Sequence, residues 1–192
     1  QAVAANSYHE YGMEESADIQ KGHFSIESTG SVDSLIVSAT ADDSVSIENR
    51  GTVNYLNTIG AAAADIDNRG TIVLAVVDKN QNVTGNQAEK VFNEVKTLTA
   101  DTHEITSGGF YSGNGVTIES PGDSGVESRA LIINTHEEVV ISDVVLRGIN
   151  GIYIGEFENT MGEYHVTLIN AKIETEQRAV QLWYYDVEDN SG

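Results

Sequence analysis

Thirty of the 192 residues are Asp or Glu, so carboxylates are the commonest groups able to do chemistry in this chain. Calcium takes about six to eight oxygen ligands, so a calcium site needs several of them to converge. Asp143, Glu156, Glu174 and Asp186 recur through the second half, with Arg147 and Arg178 near them in sequence. At this density some carboxylates are neighbours through abundance alone. A solvated acidic surface is the plain reading of most of them. The five histidines are His9, His23, His103, His136 and His165, and none forms a helical His-x-x-x-His pair. His103 with Glu104, and His136 with Glu137 and Glu138, have ligand chemistry but no ligand spacing. No metal site and no cofactor is expected from the residues themselves. The absence of cysteine removes thiolate ligands, cysteine nucleophiles and disulfides. No phosphate-binding glycine loop or nucleophile elbow is present.

Aromatic rings offer a different chemistry, because sugar rings present apolar faces that stack on them. Tyr153, Tyr164, Trp183, Tyr184 and Tyr185 lie late in the chain, while Tyr8 and Tyr11 lie at its start. Side chains alternate along a strand, so Trp183-Tyr184-Tyr185 must send at least one ring outward. These five late residues are the candidate ligand-binding set. The competing reading is packing of a final layer against a cap or a following domain.

The elements that position these groups read as short strands. Stretches of about four to six residues rich in Val, Ile and Thr are broken by Gly, Asn, Asp and Ser. His23 to Ile26, Val45 to Ile47, Ala130 to Ile133 and Val166 to Ile169 are examples. One segment differs: Ala88, Val91, Phe92, Val95 and Leu98 draw one helical stripe over residues 86–98. Asn86 and Glu89 resemble a capping box, so one short amphipathic helix is expected there. No apolar run is long enough to span a bilayer as a helix.

A repeat organises the first half. Ile47-Glu48-Asn49-Arg50-Gly51-Thr52-Val53 returns 19 residues later as Ile66-Asp67-Asn68-Arg69-Gly70-Thr71-Ile72. A period near 20 with one strand-turn-strand unit is a solenoid signature. Asn and Gly tolerate left-handed backbone, so Asn49, Gly51, Asn68 and Gly70 are expected to turn the chain. Stacked one layer apart, Asn49 and Asn68 would share amide hydrogen bonds. Arg50 over Arg69 would repel and must splay into solvent or meet acids. The second half repeats more loosely. Ala130 to Ile133 has equivalents beginning 21 residues later at Gly151 and a further 28 later at Ala179. The extra residues fit a loop at Glu156 to Glu163.

The run Val139-Val-Ile-Ser-Asp-Val-Val-Leu-Arg-Gly148 followed by Gly151-Ile-Tyr-Ile154 resembles coils of the pectin-lyase-like right-handed parallel β-helix superfamily. The Asn-Arg-Gly-Thr pair, and Glu104 to Phe110, resemble passenger coils of bacterial surface adhesins and autotransporters. The resemblance covers residues 22–184 apart from the helix. It implies an all-β fold, a single-stranded right-handed parallel β-helix. It is specific for fold and unspecific for function. An antiparallel sandwich is the structural rival, but tight hairpin signals are scarce.

The superfamily includes enzymes. Pectate lyases use acids to hold calcium and Arg or Lys to abstract a proton. Carried onto this chain, a calcium-assisted lyase would use Asp143, Glu156 and Arg178. Polygalacturonase-like hydrolases use an Asn-Thr-Asp motif, and here Asn134-Thr135-His136 replaces its Asp with His. Hydrolysis also needs a spaced carboxyl pair that nothing here marks. The lyase therefore ranks above the hydrolase.

The favoured expectation is a non-catalytic, exported bacterial surface module, adhesin-like or binding a glycan or host-surface receptor. A polysaccharide-active enzyme and a purely structural stalk are the alternatives. Residues 1–21 read as a cap or leader, 22–185 as the β-helix domain, and 186–192 as a linker in a longer chain. The start, Gln-Ala-Val-Ala-Ala, is compatible with the end of a processed export signal. The formal net charge of −20 excludes nucleic acid and anionic membranes as natural partners. No membrane insertion is expected. On a solenoid this charge must coat the outer faces, where it keeps molecules apart.

Overall fold

The computed structural model describes residues 2–3, 7–10, 13–62, 64–79, 81–155 and 162–182. Among these residues the chain is all-β, with parallel strand pairing throughout and one short 3₁₀ turn, Gly125–Ser128. It divides into two compact units, residues 1–94 and 95–192.

In the first unit consecutive strands alternate between two parallel sheets. One sheet holds, in order, β1 (Ala2–Val3), β3 (Met13–Ile19), β5 (Ser31–Val37), β7 (Thr52–Asn57), β9 (Thr71–Val76) and β11 (Lys90–Phe92). The other holds β2 (Ser7–Glu10), β4 (Gly22–Ile26), β6 (Val45–Asn49), β8 (Ala64–Asn68) and β10 (Asn82–Gly85). Met13–Ile19, within the segment read as a cap or leader, pairs along β5. The 19-residue repeat is the pairing register, with Asn49 beside Asn68 and Thr52 beside Thr71. Alternate side chains point inward from both sheets. Phe24, Ile26, Val32, Leu35, Ile47, Val53, Leu56, Ile66 and Ile72 make one core.

The second unit holds β12 (Val95–Thr97), β13 (Glu104–Ile105), β14 (Gly109–Glu119), β15 (Arg129–Ile133), β16 (Val139–Ile154), β17 (Val166–Ile169) and β18 (Lys172–Leu182). The long strands bend, so β16 pairs with β14 and β17 over its first part and with β15 and β18 over its later part. Leu131 stands beside Ile152, and Ile152 beside Val180, at separations of 21 and 28 residues. Ile105, Ile118, Leu131, Ile133, Ile141, Leu146 and Ile152 form a separate core.

The helix expected at 86–98 does not form. That stretch holds β11 and β12, which belong to different units. Its apolar stripe serves two cores: Ala88 packs on the first and Leu98 is buried in the second, while Val91 stays about half exposed. β11 is in register with β9, so those peptide groups pair with a neighbouring strand, leaving no i to i−4 ladder. Asn86 caps no helix. Its amide nitrogen donates to the Gly70 carbonyl at 3.0 Å, and its backbone N–H to the Asn68 carbonyl at 2.6 Å.

Candidate functional site: an in-register polar face of the first unit

The outward positions of β4, β6, β8 and β10 form two polar rows. Register places His23, Ser46, Asp65 and Asn82 in one row, and Glu48, Asp67 and Thr84 in the other, which begins beside the buried Ser25. Between them Phe24, Ile47 and Ile66 point into the core. Strand neighbours lie about 4.8 Å apart, so each row offers hydrogen-bonding groups at that repeat. Parts of both rows line an open depression of about 330 Å³, with His23, Ser46, Glu48, Asp65, Asp67, Arg69, Asn82 and Thr84 around it.

The rows are partly tied together. His23 Nδ1 lies 3.1 Å from Ser46 Oγ, and Asn82 Nδ2 donates to Asp65 Oδ1 at 3.2 Å. Arg50 and Arg69 thread between the acids. Arg50 pairs with Glu48 at 2.7 Å and Glu27 at 3.6 Å. Arg69 pairs with Asp67 at 2.7 Å and Glu48 at 3.9 Å. The hydrogen bond that Arg69 donates to Asp67 raises the pKa of its guanidinium, with the Asp67 and Glu48 charges adding to the rise. The like-charge stack is thereby relieved by acids from both layers. Three carboxylates against one guanidinium leave the depression acidic. It presents acceptors at Asp65, Glu48 and Thr84, whose hydroxyl donates to the Ile66 carbonyl, and donors at Asn82, Ser46 and Arg69, all suited to hydroxyl groups.

At the turn beside this face, Asn49 and Asn68 are wholly buried. Asn49 Nδ2 donates to Asn68 Oδ1 at 2.8 Å, and Asn68 Nδ2 to the Asn86 carbonyl at 2.8 Å. The Gly51 N–H donates to Asn49 Oδ1 at 3.1 Å. Gly51 and Gly70 are not in the left-handed region, contrary to the expected reason for them. They are needed for close stacking: a Cβ on Gly51 would lie 2.2 Å from the Gly30 carbonyl oxygen, and one on Gly70 2.1 Å from that of Gly51.

In the second unit Asp143 adopts a left-handed φ of 53° at the bend of β16. Asn114 and Asn170 adopt φ of 48° and 49° at the matching bends before and after it. Asp143 Oδ1 accepts a bond from Asn170 Nδ2 at 2.7 Å, so this carboxylate is held in a corner ladder. Arg178 lies exposed on the segment of β18 in register with Asn150, beyond that bend. Glu156 lies outside the described residues. Among the described residues no group of three or more His, Asp or Glu is placed to hold a metal ion.

The aromatic set is divided. Tyr153 is fully buried, with the Arg129 guanidinium 3.7 Å from its ring centre. Burial raises its phenol pKa, and the Arg129 charge opposes that rise. Tyr164 is half-buried and its ring centre lies 4.4 Å from that of His136. Trp183, Tyr184 and Tyr185 lie outside the described residues. One further cluster carries reactive groups: Lys96 Nζ donates to Ser107 Oγ at 3.0 Å, the Gly108 carbonyl at 2.7 Å and Tyr111 Oη at 3.3 Å. An ammonium making three such bonds fastens a turn and has no lone pair to activate the serine.

The polar rows escaped sequence reading because the layers differ in length. Successive members of the first row lie 23, 19 and 17 residues apart. Only the middle interval, inside the Asn-Arg-Gly-Thr repeat, leaves a visible trace. Comparison with known protein families, characterised proteins and solved structures finds no match to this chain.

Proposed function

We propose that the chain is a non-catalytic, exported surface module whose units are right-handed parallel β-helix coils, of the pectin-lyase-like kind. It displays the His23–Ser46–Asp65–Asn82 and Glu48–Asp67–Thr84 rows to a hydroxyl-rich glycan of a surface or receptor. One observation carries the reading. Seven polar residues on four in-register strands combine donors and acceptors around one open depression. A polyhydroxylated chain can satisfy such a face without buried apolar contact, and a rigid scaffold spares the ordering cost. The acidity favours neutral over acidic sugars.

A glycan-array screen of the intact protein tests this, repeated with the Asp65→Ala/Asn82→Ala double variant. Retention of neutral glycans that the variant loses is the expected result. No retention on any glycan would leave a purely structural stalk. The calcium-assisted lyase alternative predicts unsaturated products from acidic glycans. Against it stands the engagement of Asp143 by Asn170 at the corner.

A further inference from the structure

The chain has two Asn-Gly steps, Asn114-Gly115 and Asn150-Gly151, and their surroundings are opposite. Asn-Gly is the step at which a backbone nitrogen most readily reaches a side-chain amide, because glycine puts no Cβ in the way.

Asn114 and Gly115 are both exposed and lie at the irregular bend of β14. Three residues, 113–115, stand there opposite Asp143 alone in β16, so the pairing register breaks. Both residues have left-handed backbone, with φ of 48° and 83°. A Cβ on Gly115 would have nothing within 4 Å, so the peptide has room to move. Ser112 Oγ donates to Asn114 Oδ1 at 3.2 Å. That bond draws electrons from the side-chain carbonyl and steadies the negative oxygen that forms when its carbon is attacked.

Asn150 and Gly151 lie inside β16 instead. Asn150 is 8 % exposed and its amide nitrogen donates to Ser128 Oγ at 3.0 Å. Asn150 is in register with Arg129 on one side and Arg178 on the other. A Cβ on Gly151 would lie 2.4 Å from the Ala179 carbonyl oxygen, so the backbone is hemmed in. Ring closure there requires local opening of the sheet first.

We infer that Asn114 is a site of spontaneous modification, cyclising to a succinimide and opening to aspartate or isoaspartate with help from Ser112, while Asn150 is protected. The Gly115 amide gives its proton to hydroxide and its nitrogen attacks Asn114 Cγ. The bond from Cγ to the side-chain nitrogen breaks, and that nitrogen leaves as ammonia with a proton from water. One water then opens the ring at either carbonyl, so asparagine and water become an acidic residue and ammonia. The new carboxylate stands at the same corner as Asp143, adding like charge to the ladder.

The test is peptide mapping by mass spectrometry after incubating the folded protein at mildly alkaline pH, with isoaspartate quantified enzymatically. Conversion is expected at 114, with 150 slower by at least about tenfold. Ser112→Ala should slow conversion at 114, and unfolding in urea should bring the two sites to similar rates. Equal rates at 114 and 150 in the folded protein, or faster conversion at 150, would overturn the inference. An unchanged rate in Ser112→Ala, with its fold intact by circular dichroism, would remove the role given to Ser112.

Discussion

The carboxamide of Asn49 donates to that of Asn68 across 2.8 Å, and neither side chain reaches solvent. Each amide also ties down the turn beside it, through the Gly51 N–H or the Asn86 carbonyl. The two layers are thus joined by side chains as well as by the backbone ladder.

Asn68→Ala removes one of the two acceptors of the Asn49 amide, leaving the Thr71 carbonyl, and the donor to Asn86, while Asn49 stays buried. A buried polar group without its partner costs about 1–3 kcal/mol. Urea unfolding should show a loss in that range for Asn68→Ala and for Asn49→Ala. Asn54→Ala, at an exposed site bonded to Asp33, should change stability by no more than about 0.5 kcal/mol.

Gly70→Ala must push a Cβ against the Gly51 carbonyl at 2.1 Å, so the layers have to part. Gly60→Ala meets open space and only a left-handed φ of 83°. The first should cost more than about 4 kcal/mol, a size seen when a core feature is broken. The second should cost about 1–2 kcal/mol. Thermal melts of the two variants check the order. Equal losses would mean that the layers yield around the new Cβ and that stacking does not demand glycine at position 70.

Arg50 and Arg69 lie between Glu27, Glu48 and Asp67 on an otherwise acidic chain. Arg50→Glu should lower the melting temperature at low ionic strength. The loss should shrink as salt approaches about 1 M, where screening acts over roughly 3 Å. A loss independent of salt would assign the effect to packing of the arginine stem.

Glu174 is held below its ordinary carboxylate pKa, first by the hydrogen bond from Lys172 and then by that from Arg147. A carboxyl depressed in the folded state adds stability above its unfolded pKa. That stability fades as pH falls through the lower folded value. Wild type and Glu174→Gln should therefore differ by a constant amount above the ordinary carboxylate range and converge as the pH drops below it. Denaturant midpoints measured across acidic pH would show this. A gap that widens on acidification would reverse the sign.

The inward positions were legible because burial leaves a chemical trace. Phe24, Ile47 and Ile66 alternate with polar neighbours, and the Asn-Arg-Gly-Thr repeat marks where layers stack. The outward rows left little trace, since solvent accepts many residue types. The stripe from Ala88 to Leu98 misled for a physical reason: a helical spacing also arises when successive apolar residues are dealt to two different cores.

The sequence by itself determined an all-β chain, the 19-residue spacing between layers and an acidic exterior, because each follows from composition or from a local period. Only the tertiary structure decided that residue 94 ends one unit and that Tyr153 is covered by Arg129. It alone brought His23, Ser46, Asp65 and Asn82 into one row. Those facts depend on which strands pair and in what register, and layers of unequal length carry no fixed period along the chain from which register can be read.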